Sequence, residues 1–305
     1  MNAVELKNIV KKCLIKKSTV TAVDNVSFEV EEGELFGLIG PDGAGKTSIF
    51  RILTTLLLSD EGSAKVLGYD VVKDWKEIRN IIGYMPGRFS LYQDLSVEEN
   101  LEFFATIFNT TIEENYDLVE DIYKQLEPFK TRRAGKLSGG MKQKLALSCA
   151  LIHKPKILFL DEPTTGVDPV SRKDFWEMLT RLKKQGITIL VSTPYMDEAK
   201  LCDRIALIQN GKILQINNPQ NIIDLFDKKL YAVKSENMFK LLNDLRSFAL
   251  TESCFAFGEN HHITIINENV SALKDFLKVS GYSNYDISEI KPSIEDCFMQ
   301  LIKNK

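Results

Sequence analysis

The sequence has few of the residues that build metal clusters or disulfide frameworks. Its 305 residues include five cysteines and three histidines. The cysteines are scattered singly, without a CxxC pair, and no histidine stands at metal-ligand spacing from them. We therefore predict neither a zinc site nor disulfides, and a cytoplasmic protein.

Long hydrophobic runs and an excess of positive charge are also missing. No apolar stretch approaches the roughly 18 residues of a membrane-spanning helix, and residues 1–13 lack the apolar core of a signal peptide. The formal net charge of −3 provides no general basic surface, so we expect no nucleic-acid partner. A role at a membrane would require a partner. With 44% hydrophobic and 27% charged residues, the chain suits one large or two modest globular domains.

Residues 40–47 read GPDGAGKT and fit the phosphate-binding pattern G-x-x-x-x-G-K-S/T. Apolar residues 35–39 predict a buried strand before it, and residues 48–58 predict a helix after it. In that setting backbone N–H groups surround phosphate oxygens, Lys46 reaches the β- and γ-phosphates, and Thr47 offers a hydroxyl to a magnesium ion. The alternative is a coincidental glycine-rich turn. The predicted phosphate-binding residues are Gly40, Pro41, Asp42, Gly43, Ala44, Gly45, Lys46, Thr47 and Ser48.

Two acidic residues follow a second predicted buried strand. Residues 157–160 form the apolar run, and Asp161 and Glu162 end it. Carboxylates in such a place need a compensating partner. A magnesium ion beside the phosphates supplies one, with Asp161 holding the ion through water and Glu162 polarising the attacking water.

A third motif is LSGGM at residues 137–141, which predicts a helix start. Ser138 can cap that helix, and Gly139 and Gly140 expose its first N–H groups, which makes another anion site. Taken alone, a Ser-Gly-Gly cap is more often only structural.

With GPDGAGKT, LSGGM and ILFLDEP in this order, the chain resembles the ATP-binding cassette family over about residues 3–220. The resemblance implies an α/β nucleotide-binding domain: a P-loop NTPase core with an antiparallel strand subdomain and a helical insertion at about residues 87–152. It implies ATP and Mg²⁺ as ligands, Glu162 as the catalytic residue, and Thr47 and Asp161 at the metal. Ser138, Gly139 and Gly140 would face ATP held by a second protomer in a head-to-tail dimer, and residues 166–168 resemble the family's dimer-contact segment.

Three positions depart from the family's pattern. Gly87 stands where a glutamine contacts the magnesium and the attacking water, and Pro194 stands where a histidine touches the γ-phosphate. Cys13 occupies the place of the aromatic residue that stacks on adenine. Two lost contacts to developing charge predict slow hydrolysis unless neighbours substitute. The candidate substitutes are Arg88, Thr193 and Tyr195.

Beyond Pro219 the composition changes, and alternating strand and helix patterns predict a small α+β domain over residues 221–305, after a nucleotide-binding domain over residues 1–220. Residues 291–298 (KPSIEDCF) resemble the C-terminal segment of ATPase subunits of ABC-2-type exporters. A plain helix capped by Ser293 and Asp296 explains that segment equally well.

The function predicted from the resemblance is that of the ATP-binding subunit of an ABC-2-type, multidrug-like exporter. It would work at the inner face of the membrane, with membrane-spanning permease subunits that dock near residues 88–100, and with a second nucleotide-binding subunit. One alternative is a soluble ABC-type regulator without a membrane partner. Another is a cassette that binds ATP but hydrolyses it poorly. The choice of transported substance lies with the permease subunits.

Overall fold

A computed structural model describes residues 2–15, 18–87 and 91–303. These residues divide into two compact units, Met1–Pro219 and Gln220–Lys305. No helix in the described ranges is both long and apolar enough to span a membrane.

The first unit begins with an antiparallel sheet in the strand order β2-β1-β4-β5. Its strands are β1 (Asn2–Ile15), β2 (Ser18–Glu31), β4 (Glu61–Val66) and β5 (Tyr69–Asp70). We predicted strands only over residues 3–10 and 22–30, which was too short. Residues 11–14 and 18–21 are mostly polar or exposed, and the β1–β2 register, in which Cys13 lies opposite Val20, gives them strand structure. Strand ends that are polar or exposed on both faces show little apolar alternation, so the sequence alone does not reveal them.

The second sheet of this unit carries the candidate site, in the order β10-β9-β3-β8-β7-β6. Its strands are β3 (Leu35–Ile39), β6 (Ile82–Met85), β7 (Ile157–Asp161), β8 (Thr188–Thr193), β9 (Arg204–Gln209) and β10 (Lys212–Asn217). All neighbours except β9 and β10 run parallel. Strands β3, β7 and β8 are fully buried, and each carries a run of mostly apolar residues, as expected of a sheet covered on both faces. Their carboxyl ends meet at one edge, which is where ligands bind in parallel sheets.

The helices of this unit mostly follow the sequence patterns. They are α1 (Lys46–Leu53), α2 (Trp75–Ile81), α3 (Val97–Ile107), α4 (Tyr116–Leu126), α5 (Gly139–Leu151) and α6 (Pro169–Lys184), and α7 (Pro219–Asp224) spans the division. The capping box predicted at the start of α3 is confirmed, since Ser96 and Glu99 exchange hydrogen bonds. The helix predicted to reach residue 58 ends earlier, at Leu53, because Thr55 adopts a left-handed conformation (φ 63°).

Over the described residues 220–303, the second unit is an antiparallel sheet with helices. Its strands, in the order β12-β13-β11-β14, are β11 (Leu230–Ser235), β12 (Thr251–Phe257), β13 (Asn260–Ile265) and β14 (Tyr285–Ile290). Its helices are α8 (Met238–Ser247), α9 (Val270–Val279) and α10 (Ile294–Lys303). The predicted α+β class is confirmed. Ser293 and Asp296 cap α10 reciprocally: the Ser293 N–H donates to Asp296, and the Asp296 N–H donates to the Ser293 hydroxyl.

Candidate functional site

The phosphate loop lies between β3 and α1, as the strand–loop–helix pattern predicted. Gly45 has φ 104°, and a Cβ there would lie 2.3 Å from the Ala22 carbonyl oxygen, so both conformation and space require glycine. The Gly40 N–H donates to the Thr193 carbonyl at 3.3 Å, which joins the start of the loop to the end of β8.

Lys46 occupies the centre of the loop and is only 3% exposed. Its Nζ donates to the carbonyl oxygens of Gly40 at 2.7 Å and Pro41 at 3.0 Å. The third contact is with Glu162, whose Oε1 lies 3.1 Å from Nζ. A lysine ammonium has three donors, and here all of them point into the loop and toward the predicted catalytic carboxylate.

Asp161 and Glu162 lie at the carboxyl end of β7. Asp161 is buried and accepts a hydrogen bond from the Ser192 hydroxyl at 2.5 Å. Glu162 has φ 51°, a conformation that costs a residue other than glycine on the order of 1 kcal/mol. The Glu162 N–H donates to both the carbonyl oxygen and the hydroxyl of Ser192, each at 3.0 Å. Ser192 thus holds both acids in place, and the sequence analysis missed it although it is a hydroxyl at the end of the adjacent buried strand.

Gly87 lies beside Asp161. A Cβ on Gly87 would lie 3.1 Å from the Asp161 carbonyl oxygen and 3.7 Å from Asp161 Oδ2. Burial and, second, the charge of Asp161 raise the pKa of Tyr84 on the neighbouring strand β6 to about 12. A glutamine at position 87 would therefore begin beside Asp161. Arg88, one of the suggested substitutes, lies outside the described residues.

Thr193, one of the suggested substitutes for the histidine, is already hydrogen-bonded within the protein. The Thr193 hydroxyl donates to Glu198 Oε2 at 2.5 Å and accepts from the Tyr195 N–H at 3.1 Å. Its single hydrogen is used inside the protein, so Thr193 cannot donate to a phosphate in this arrangement. The Arg172 guanidinium lies 4.7 Å from the centre of the Tyr195 ring. Only Tyr195 remains as a described candidate for the missing contact of Pro194.

Residues 138–140 lie at the start of α5. The Ser138 side chain caps this helix by accepting from the Met141 N–H at 3.3 Å, as predicted. Ser138 and Gly139 are exposed, whereas a Cβ on Gly140 would lie 2.6 Å from the Ser171 hydroxyl in the first turn of α6. The motif is thus packed against α6 at Gly140 and keeps Ser138 and Gly139 open to solvent.

The residues present suit a nucleotide with magnesium. No group of three histidine, cysteine or acidic side chains among the described residues could hold a metal by itself. Mg²⁺ is commonly bound by one or two protein groups together with substrate phosphates and water. The exposed Thr47 hydroxyl and the Asp161 carboxylate match that requirement.

Known proteins similar to this chain identify its family. Residues 23–165 match the family described as "ABC transporter". The chain is 34% identical over 283 residues to the Nod factor export ATP-binding protein I of Rhizobium sp. (strain N33). The aligned region covers 92% of this chain and 91% of that protein. This chain belongs to the ABC transporter family.

Other relatives support its place among the family's ATP-binding cassettes. It is 38% identical over 285 residues to the probable multidrug ABC transporter ATP-binding protein YbhF of Escherichia coli (strain K12), covering 92% of this chain but only 49% of that protein. The chain thus spans about half the length of this relative. The ATP-binding cassette MJ0796, in a dimeric post-hydrolysis state bound to ADP and Pi, matches 70% of this chain and 98% of its own, with 26% identity and a TM-score of 0.64. The predicted cassette fold is confirmed.

Proposed function

We propose that this chain is the ATP-binding subunit of an exporter of the ABC-2 type, which binds and hydrolyses ATP to drive transport through membrane-spanning permease subunits. The observation that carries this proposal is the convergence of Lys46, Asp161 and Glu162 at one sheet edge. Relatives named as export and multidrug ATP-binding proteins support the transport role. The subunit would lie in the cytoplasm, against the inner face of the membrane.

In the proposed reaction each residue has one task. Lys46 transfers its hydrogen bonds from Gly40, Pro41 and Glu162 to the β- and γ-phosphates. Glu162, released from the ammonium, accepts a proton from the attacking water. Thr47 and Asp161 would hold the magnesium ion, which neutralises phosphate charge when bound.

The proposed working unit is a head-to-tail dimer with a second nucleotide-binding subunit. Ser138 and Gly139 are exposed at the N-terminus of α5, where unpaired N–H groups attract anions. A related cassette is dimeric. ATP bound at one phosphate loop would be covered by residues 138–140 of the other protomer.

An apolar groove offers a docking surface for the permease. It has a volume of about 410 Å³ and lies between the core sheet and the helices α3 and α5. Leu56 and Ile107 line it and are 55% and 54% exposed. We propose that an apolar segment of the permease fills this groove. Of the segment predicted to dock, residues 88–90 lie outside the described part of the chain.

Replacing both groove residues, Leu56→Glu with Ile107→Glu, is expected to abolish co-purification of the permease subunit from detergent-solubilised membranes. The charges would have to be buried in the interface, whereas in the free subunit they stay in water, so ATP binding should be retained. Val279→Glu, at an 89% exposed residue of the second unit, is the control. If only soluble proteins co-purify with the parent chain, the result contradicts the proposed exporter function and favours the soluble regulator.

A second candidate, a cassette that binds ATP but hydrolyses it slowly, is favoured by Gly87 and Pro194. Proline supplies neither an imidazole nor an N–H, and Thr193 is engaged by Glu198. Pro194→His together with Gly87→Gln is expected to raise kcat about tenfold or more, with little change in KM, because contacts made only in the transition state lower the barrier. Steady-state ATPase assays would measure this.

The control for that pair is Gly87→Ala, which introduces only the Cβ that approaches the Asp161 carbonyl oxygen at 3.1 Å. It separates a steric effect on Asp161 from a contribution of the amide. If the double variant is no faster than the parent while Tyr195→Phe is much slower, Tyr195 replaces the histidine and the slow-site interpretation is wrong.

A further inference from the structure

Glu198 is a buried carboxylate outside the motifs described above. It lies in the turn after β8 and is 2% exposed. Its Oε1 accepts from the Thr164 hydroxyl at 2.8 Å, and its Oε2 accepts from the Thr193 hydroxyl at 2.5 Å. Both threonines are themselves buried. A charge in such a place is costly unless it is paired and hydrogen-bonded.

The two threonines belong to the two segments that build the hydrolytic site. Thr164 is two residues after Glu162 and follows the left-handed turn at that residue. Thr193 ends β8, and its carbonyl accepts from the Gly40 N–H at the start of the phosphate loop. One carboxylate therefore joins the segment that carries the catalytic glutamate to the strand end that leads into Pro194.

Arg172 supplies the compensating charge from a third element. Its Nε lies 3.8 Å from Glu198 Oε1, and its Nη2 lies 3.5 Å from the exposed Asp197. Arg172 stands in the first turn of α6, one residue after Ser171, against which Gly140 packs.

We propose that Glu198 is a positioning residue for ATP hydrolysis, which holds the segment of Glu162 in register with the end of β8 through Thr164 and Thr193. In this chain Pro194 begins the segment after β8, and this segment is held to the rest of the protein by a buried carboxylate and two hydroxyls. This inference rests on the proposed function. Both carboxylate oxygens of Glu198 accept from threonine hydroxyls, so Glu198 acts through these residues and not on the nucleotide.

The test compares Glu198→Gln, Thr164→Val and Thr193→Val in the full chain. Each change removes a hydrogen bond of the network, and displacement of a catalytic group by about 1 Å can cost roughly 100-fold in rate. Glu198→Gln is expected to lower kcat by about tenfold or more, with KM within about twofold of the parent. Combining Glu198→Gln with either valine variant should cause little further loss, because the residues act as one unit. Thr193→Ser, which keeps the hydroxyl, should retain the parental kcat.

Asp197→Asn is the matched control, since Asp197 contacts the same arginine from the surface and should leave kcat unchanged. If Glu198→Gln does not fold, the two valine variants and the serine variant still decide the question. Unchanged kcat in the valine variants, strictly additive losses, or a fall in kcat matched by weaker ATP binding would each overturn the role of Glu198. If the parent chain binds ATP but does not hydrolyse it, even in single-turnover assays, both the proposed hydrolysis and this inference are overturned. If the parent chain is active and the variants are unaffected, only this inference is overturned.

Discussion

Lys46→Ala is expected to weaken ATP binding by about 100-fold or more. A hydrogen bond to a charged group contributes roughly 1.5–3 kcal/mol, and the lysine would make such bonds to two phosphates, so about 3 kcal/mol or more is lost, which corresponds to at least a 100-fold change in Kd. The buried position strengthens the effect, because water replaces the ammonium poorly at a site that is 3% exposed. Equilibrium titration with ATP under non-hydrolysing conditions would measure it.

The control for this prediction is Lys234→Ala, which removes a surface lysine paired with Glu259 in the second unit. Its ATP affinity should equal that of the parent, because exposed ion pairs contribute little. Thermal unfolding of Lys46→Ala should be followed in parallel, since the change also removes the partner of Glu162 and of two carbonyl oxygens. A variant that is folded and binds ATP with parental affinity would contradict the assignment of the phosphate loop.

The sequence was most informative where the chemistry depends on local spacing. The loop at residues 40–47, the carboxylates Asp161 and Glu162, and the cap at Ser138 are each fixed by residues within a few positions of one another. Parallel strands then bring the first two together, because the carboxyl ends of β3 and β7 lie on the two sides of β8 at one edge. Local pattern predicted these residues, and the topology of the sheet brings them to one edge.

The parts that sequence reasoning missed depend on contacts between distant residues. Ser192 bonds to Asp161 across 31 positions, and Glu198 bonds to Thr164 across 34. Ser192 stands in a buried strand, but the sequence around these residues does not identify their partners, and their role comes from burial beside those partners. The strand β14 was missed for a similar reason, because its half-exposed residues become a strand through antiparallel pairing with β11.

Glu162→Gln is expected to lower the rate of ATP hydrolysis by about 100-fold or more while leaving ATP binding intact. General base catalysis typically contributes 10²- to 10⁴-fold, and an amide cannot take the proton of the attacking water. The substitution keeps the size of the side chain, and the Glu162 N–H bonds to Ser192 involve only its backbone, so the left-handed turn should persist. The amide oxygen can still accept from Lys46, which lies 3.1 Å from Oε1 in the parent.

The proposed dimer closes on ATP before hydrolysis. Because hydrolysis is blocked in Glu162→Gln, this variant should accumulate as a dimer when ATP and magnesium are present. Size-exclusion chromatography with and without the nucleotide, combined with single-turnover hydrolysis, measures both consequences. Glu177→Gln makes the same chemical change on the exposed face of α6 and should behave like the parent. If Glu162→Gln stays monomeric with ATP and magnesium, the proposed closed dimer is contradicted. If it dimerises and hydrolyses ATP at the parental rate, Glu162 is not the base, and another group accepts the proton.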